Sequence, residues 1–255
     1  MMQLTFLGSG TSTGVPTPLC DCEVCRSTDP RDKRLRASVF IQANGRNILI
    51  DCGPDFRYQA LRAGIDRIDA VLVTHSHYDH AGGFDDLRPF CSLMPDKHLP
   101  VYCKQDVARD FLHHMPYCFK ENTYPNVPQF TIHEIDDRPF DIDGLQVTPL
   151  PVMHHDLPIL GYRIGDLAYV TDCKTMPEST RKLIRGIDTL VINALRFKDH
   201  HSHMNISQAL ELISDLHPRR TFLTHASHGI GLHASTGSFL PENVEYAFDT
   251  LSIRI

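Results

Sequence analysis

Short apolar runs rich in β-branched residues alternate with polar segments along the whole chain: QLTFL at 3–7, SVFIQ at 38–42, NILID at 47–51, AVLVTH at 70–75, LQVTPL at 145–150, LAYVTD at 167–172, TLVIN at 189–193 and RTFLTH at 220–225. Runs this short, bounded by turn residues, predict strands. Asn44-Gly45 joins two of them and Gly165-Asp166 separates GYRI from LAYV, so antiparallel hairpins are expected. Helices are predicted over 55–63, closed by Gly64, over 105–115, over 177–185 starting at Pro177, and over 207–216. The segment 116–128, PYCFKENTYPNVP, is expected to be an irregular loop. Strands interleaved with helices give a layered α/β protein with mixed sheets. No repeat or compositional break marks a linker, so one domain over 1–255 is the simplest organisation.

Charge narrows the partners. The net charge is −6 and no Lys/Arg run occurs, which disfavours long nucleic acid and anionic membrane surfaces as partners. An anionic substrate would need a local source of positive charge. No window approaches the roughly 18 apolar residues of a membrane span, and the N-terminal stretch has no basic region ahead of an apolar one. A soluble, cytoplasmic protein is expected. There, the eight cysteines are thiols or metal ligands rather than a disulfide framework. Cys52, Cys91, Cys103, Cys118 and Cys173 are isolated and read as small buried hydrophobes, whereas Cys20, Cys22 and Cys25 crowd into CDCEVC.

The stretch FLGSGTSTG follows a strand and superficially suggests a nucleotide-binding loop. Its spacing is G-x-G-x-x-x-G, and prolines follow where a phosphate-binding helix should begin. A tight turn that lets backbones approach closely is the better reading.

VLVTHSHYDHAGG carries the most chemistry. A buried-type strand runs directly into His75, His77, Asp79 and His80. In an extended segment His75 and His77 face one side, while Asp79 and His80, where the chain turns, can serve a second centre. His154, Asp172 and His225 also follow strand-like runs, and ligands donated from strand ends suit a pre-organised site. Imidazole and carboxylate suit zinc, iron or manganese.

His75-Ser76-His77-Tyr78-Asp79-His80 resembles the H-x-H-x-D-H signature of the metallo-β-lactamase superfamily, and His154, Asp172 and His225 follow in family order. The resemblance implies a four-layer αββα sandwich of two mixed sheets with two divalent metals at one edge. It assigns His75, His77 and His154 to the first metal, Asp79, His80 and His225 to the second, and Asp172 to a bridge between them.

LGSGTSTGVP, CDCEVC and FLTHASH further resemble the PhnP type of phosphodiesterase. That resemblance implies a structural zinc on Cys20, Cys22, Cys25 and His228, a closed Cys3His set without a vacancy for substrate. It also implies hydrolysis of a small cyclic or nucleotide-like phosphodiester, with two cations activating a hydroxide. Asp79 is given a second role in orienting that nucleophile. The leaving alkoxide needs a proton donor: PhnP-type spacing selects His201, and tRNase Z, a neighbouring branch, would select His203. His200 is read as an exposed or supporting residue. Arg88 and Lys174 are candidates for phosphate contact, set against simple surface placement. A homodimer is carried as the candidate assembly. The alternatives are an RNA-processing nuclease of tRNase Z type and a non-hydrolytic biosynthetic or redox protein such as those of the pyrroloquinoline-quinone pathway.

Overall fold

The computed structural model describes residues 2–119 and 127–255. The first half contributes β1 (Met2–Gly8), β2 (Ser38–Ala43), β3 (Arg46–Ile50), β4 (Ala70–Leu72), β5 (Leu99–Cys103) and β6 (Phe130–Glu134). The second contributes β7 (Phe140–Ile142), β8 (Leu145–His154), β9 (Leu157–Ile164), β10 (Leu167–Val170), β11 (Thr189–Asn193), β12 (Arg220–Thr224), β13 (Val244–Tyr246) and β14 (Ser252–Arg254). Helices α1 (Glu23–Arg26), α2 (Phe56–Ala63), α3 (Tyr78–Ala81), α4 (Arg88–Cys91), α5 (Gln105–His114), α6 (Glu178–Ile184) and α7 (Ile206–Leu216) fall between them.

Two mixed seven-stranded sheets result, ordered β14-β1-β2-β3-β4-β5-β6 and β13-β12-β11-β10-β9-β8-β7. Both predicted hairpins form: β2 pairs antiparallel with β3 across Asn44-Gly45, and β9 with β10 across Gly165-Asp166. Asn44 and Gly45 both take positive φ, the conformation that a two-residue hairpin turn needs.

Alternation along the strands divides the apolar residues among three layers. Leu4, Phe6, Ile41, Ile48, Tyr162, Val191 and Phe222 fill the space between the sheets. Phe56, Phe84, Phe90, Phe111 and Val101 join the first sheet to α2, α4 and α5, while Ile184, Leu190, Ile192, Leu212 and Leu216 join the second to α6 and α7. This is the expected αββα sandwich. Cys52, Cys91, Cys103, Cys118 and Cys173 are all buried, as isolated apolar thiols should be. Among the described residues no helix is long and apolar enough to cross a membrane.

The predicted helices form within a residue or two of expectation. Gly64 closes α2 in the left-handed region (φ 63°). Asn205 caps α7 through a reciprocal pair of hydrogen bonds with Gln208. Of the loop expected over 116–128, Pro116–Phe119 forms a short 3-10 turn, and 120–126 lie outside the described residues.

Candidate dinuclear metal centre

The ligand candidates converge because the chain leaves several strands at the same edge of the sandwich. Asp51 follows β3, His75 follows β4, His154 ends β8, Asp172 follows β10 and His225 follows β12. Asp51, Asp172 and His225 share a further property: φ of 62°, 55° and 55°, in the left-handed region. A side chain other than glycine pays on the order of 1 kcal/mol for this conformation, which clusters at functional sites. The H-x-H-x-D-H segment is pressed against the end of β3 by two glycines. A Cβ on Gly53 would stand 2.1 Å from the Asp79 carbonyl oxygen, and one on Gly83 2.0 Å from that of Gly53, so only glycine permits this crossing.

Asp79, His80, Asp172 and His225 form one buried group of potential donors. His80 Nε2 lies 3.2 Å from Asp79 Oδ2 and 3.4 Å from Asp172 Oδ1, while His225 Nε2 lies 3.5 Å and 3.2 Å from the same two oxygens. Metal bonds of about 2.0–2.1 Å in a tetrahedron would set neighbouring donors roughly 3.3–3.4 Å apart. His80 Nε2 and His225 Nε2 are buried without a hydrogen-bond partner, a costly arrangement unless something else accepts their lone pairs. Donor chemistry, spacing and orphaned nitrogens all fit a divalent cation.

His75, His77 and His154 form the adjoining group. His75 Nε2 is 3.0 Å from His77 Nδ1 and 3.9 Å from Asp172 Oδ2, so Asp172 faces both groups. The outer nitrogens are occupied in ways that turn the inner ones to the centre. His154 Nδ1 donates to the backbone carbonyls of Asp172 and Ser202 at 2.9 and 3.0 Å. His75 Nδ1 meets Thr74 Oγ1 at 3.0 Å, and His80 Nδ1 meets Asp51 Oδ2 at 2.7 Å. Such outer partners fix ring orientation and tautomer at metal sites.

The electrostatics favour a cation. Burial opposes a charge on His80, but the carboxylates of Asp172, Asp79 and Asp51 outweigh it and hold its pKa well above the ordinary histidine value. Burial would raise Asp172, yet His225 and His80 keep it well below the usual carboxylate range. His75 is pushed well below its usual value by burial and by His80, which outweigh Asp172 and Asp79.

Cys20, Cys22, Cys25 and His228 meet in a separate group. His228 Nδ1 lies 3.2, 3.3 and 3.5 Å from the three sulfurs, close to the roughly 3.5 Å that tetrahedral Zn–S and Zn–N bonds imply. A hydrogen bond from the Cys25 backbone lowers the Cys22 thiol to about 6, so one thiolate is available at neutral pH. The glycine-rich loop behaves as the close-approach turn expected of it: a Cβ on Gly8 would lie 2.0 Å from the Arg36 carbonyl oxygen.

His203 packs its ring 4.7 Å from that of His154 and 4.8 Å from that of His225, between ligands of the two groups. It also falls within ligand distance of His154 and Asp172. Burial and His225 lower it to about 3. His201 is exposed, with its ring 5.8 Å from that of His155, while His200 is half-buried and bonded to Ser202. The phosphate-contact expectations change. Arg88 pairs with Asp85 at 2.7 Å, and the Lys174 ammonium is occupied by the carbonyls of His200 and His203 and by Gln208. Asp51 and Thr74 were not among the sequence candidates. The signal for Asp51 was present in NILID, an Asp directly after an apolar strand, the same pattern that singled out Asp172.

Residues 46–226 match the family described as the beta-lactamase superfamily domain, a stretch running from the start of β3 to just past His225. The chain belongs to the beta-lactamase superfamily. Within this superfamily, a solved structure described as a new diphosphatase from the PhnP family is 39% identical, with a TM-score of 0.93, covering 99% of this chain and 96% of that one. An octanoyltransferase of Porphyromonas gingivalis is 45% identical over 257 residues, taking in 100% of this chain and 52% of that protein. A ribonuclease Z of Methanosarcina acetivorans is 30% identical over 169 residues, 64% of this chain and 48% of that protein. The chain thus spans about half the length of these curated relatives.

Proposed function

We propose that the chain is a metal-dependent phosphodiesterase acting on a small cyclic or nucleotide-like phosphodiester. The observation that carries this reading is Asp172 facing two adjoining ligand groups at once, with buried imidazole nitrogens on both sides of it. His75, His77 and His154 would hold one divalent metal, Asp79, His80 and His225 the other, and Asp172 both. Cys20, Cys22, Cys25 and His228 would hold a structural zinc. Zinc, manganese or iron in the paired sites would supply Lewis-acid charge to the non-bridging phosphoryl oxygens and acidify an attacking water. This supplies locally the positive charge that a chain of net charge −6 lacks.

The protein's own groups do the rest. The second carboxylate oxygen of Asp79 is assigned to orient the attacking water. His203, rather than His201, is assigned to protonate the leaving alkoxide, because its ring lies between the two ligand groups whereas that of His201 lies outside them. The low pKa of His203 keeps it neutral in the resting site, and an anionic phosphoryl group beside it would raise its proton affinity. Similarity to the PhnP-family diphosphatase supports phosphoryl chemistry.

The ribonuclease Z relative makes RNA processing the competing reading. Turnover of small diesters by the purified protein, changing little between low and high salt, is the expected result. Tight binding of tRNA precursors that weakens steeply with salt, without turnover of small diesters, would overturn it.

A further inference from the structure

We propose that Lys174 is a positioning residue that pins the proton-donor segment, 200–203, against the metal centre; the inference rests on the phosphodiesterase reading. Lys174 lies two residues past Asp172, where three parts of the site cross. Its backbone N–H donates to the Met153 carbonyl at 2.7 Å, beside His154, and the Met204 N–H donates to the carbonyl of neighbouring Cys173 at 3.1 Å. From there the half-buried ammonium donates to the His200 carbonyl at 2.7 Å, the His203 carbonyl at 3.3 Å and Gln208 Oε1 at 3.1 Å. An ammonium has three hydrogens, and all three are committed. The first two clamp both ends of the donor segment. The third ties it to the start of α7, where Gln208 Oε1 also accepts from the Asn205 N–H at 3.1 Å. The segment's own backbone forms no helix or strand, so side-chain bonds such as these and the one from His154 Nδ1 to the Ser202 carbonyl hold it.

Protonating the leaving oxygen requires the imidazole N–H to sit within hydrogen-bond reach of it as the P–O bond breaks. The bonding pair then goes to that oxygen and the proton follows from the ring. A good leaving group, p-nitrophenolate, departs with little such help, while a ribose alkoxide depends on it. Loosening the clamp should therefore separate the two substrate kinds.

The test compares kcat for bis(p-nitrophenyl) phosphate and for a ribonucleoside cyclic phosphate in wild type, Lys174→Met and Gln208→Met, with metal content measured on the same samples. In Lys174→Met the cyclic substrate should slow about 100-fold more than the aryl one, in line with the usual contribution of a general acid. Gln208→Met, which frees one of the three bonds, should shift that ratio in the same direction by less. Independently of turnover, backbone amides of 202–204 should exchange with solvent about 10-fold faster in Lys174→Met than in wild type. Equal slowing of both substrates with unchanged exchange would overturn the inference while leaving the phosphodiesterase reading intact. A wild-type protein that cleaves neither diester would overturn the reading and the catalytic part of the inference together.

Discussion

Asp51 and His80 form a hydrogen-bonded pair sealed from solvent: the carboxylate Oδ2 lies 2.7 Å from the imidazole Nδ1, and both side chains are 0% exposed. The other oxygen of Asp51 accepts from the Thr74 backbone at 2.8 Å, so one carboxylate ties the end of β3 both to the residue just before the H-x-H-x-D-H segment and to its last histidine. With Nδ1 engaged, Nε2 of His80 is left facing Asp79, Asp172 and His225.

Asp51→Asn keeps the shape of this pair and removes its charge. The expected outcome is a 10- to 100-fold loss of metal affinity at the His80 site, the usual effect of losing an outer partner. Chelator competition on wild type and variant measures it. Equal affinity would mean that His80 is oriented by packing alone.

The glycine crossing should be intolerant. Gly83→Ala puts a methyl group onto the Gly53 carbonyl, and backbone is what must move. Urea unfolding is expected to show a loss of about 2–3 kcal/mol, the range for overpacking a tight interior. Gly144→Ala, at a turn where an added Cβ meets nothing within 4 Å, is a comparison that changes only local backbone preference.

His233 gives a pH dependence with a definite sign. Its ring nitrogen lies 3.1 Å from Arg34 Nη2, and burial together with Arg34 lowers it from 6.5 to about 4. Between those values the unfolded chain binds a proton that the fold refuses. The contribution is therefore fully present above 6.5 and lost as pH falls toward about 4. Because the ring is only half-buried, a discounted figure of about 1 kcal/mol is expected between roughly pH 7 and pH 5. Urea titrations at both pH values should show wild type losing that much more than His233→Gln.

Cys22→Ser removes the thiol of the Cys3His group whose pKa is lowered to about 6. One metal per chain should be lost on gel filtration, with a fall of several degrees in Tm, since closed zinc sites contribute folding energy. His228 is three residues past His225, so activity should fall as well, by less than for loss of a catalytic ligand. Unchanged metal content would mean that the thiols are merely neighbours.

What the sequence disclosed follows from how local each feature is. The hairpins at Asn44-Gly45 and Gly165-Asp166, and the four ligand candidates of H-x-H-x-D-H, are set by residues adjacent in the chain. Strands β13 and β14 escaped because each has only three residues and exists through pairing with β12 and with β1, some 250 residues away in the latter case. Strand β5 is LPVYC, where Pro100 blurs the pattern. Lys174 illustrates the limit within the site: a cation beside Asp172 suggests a phosphate contact, and only the folded backbone reveals the carbonyls of His200 and His203 already around it. The left-handed φ of Asp51, Asp172 and His225 had no sequence signal beyond residue types that tolerate it.

On the proposed reading, paired divalent metals on these ligands carry phosphodiester hydrolysis. Metal analysis coupled to turnover of bis(p-nitrophenyl) phosphate in wild type and His77→Ala tests this. The expected result is about three metals per wild-type chain, two in the paired sites and one on the Cys3His group. His77→Ala should retain less metal and lose at least about 1000-fold in kcat, because one of the paired cations would no longer be held. Full activity in His77→Ala, or wild-type turnover that survives complete removal of metal, would rule out hydrolysis by paired metals on these residues.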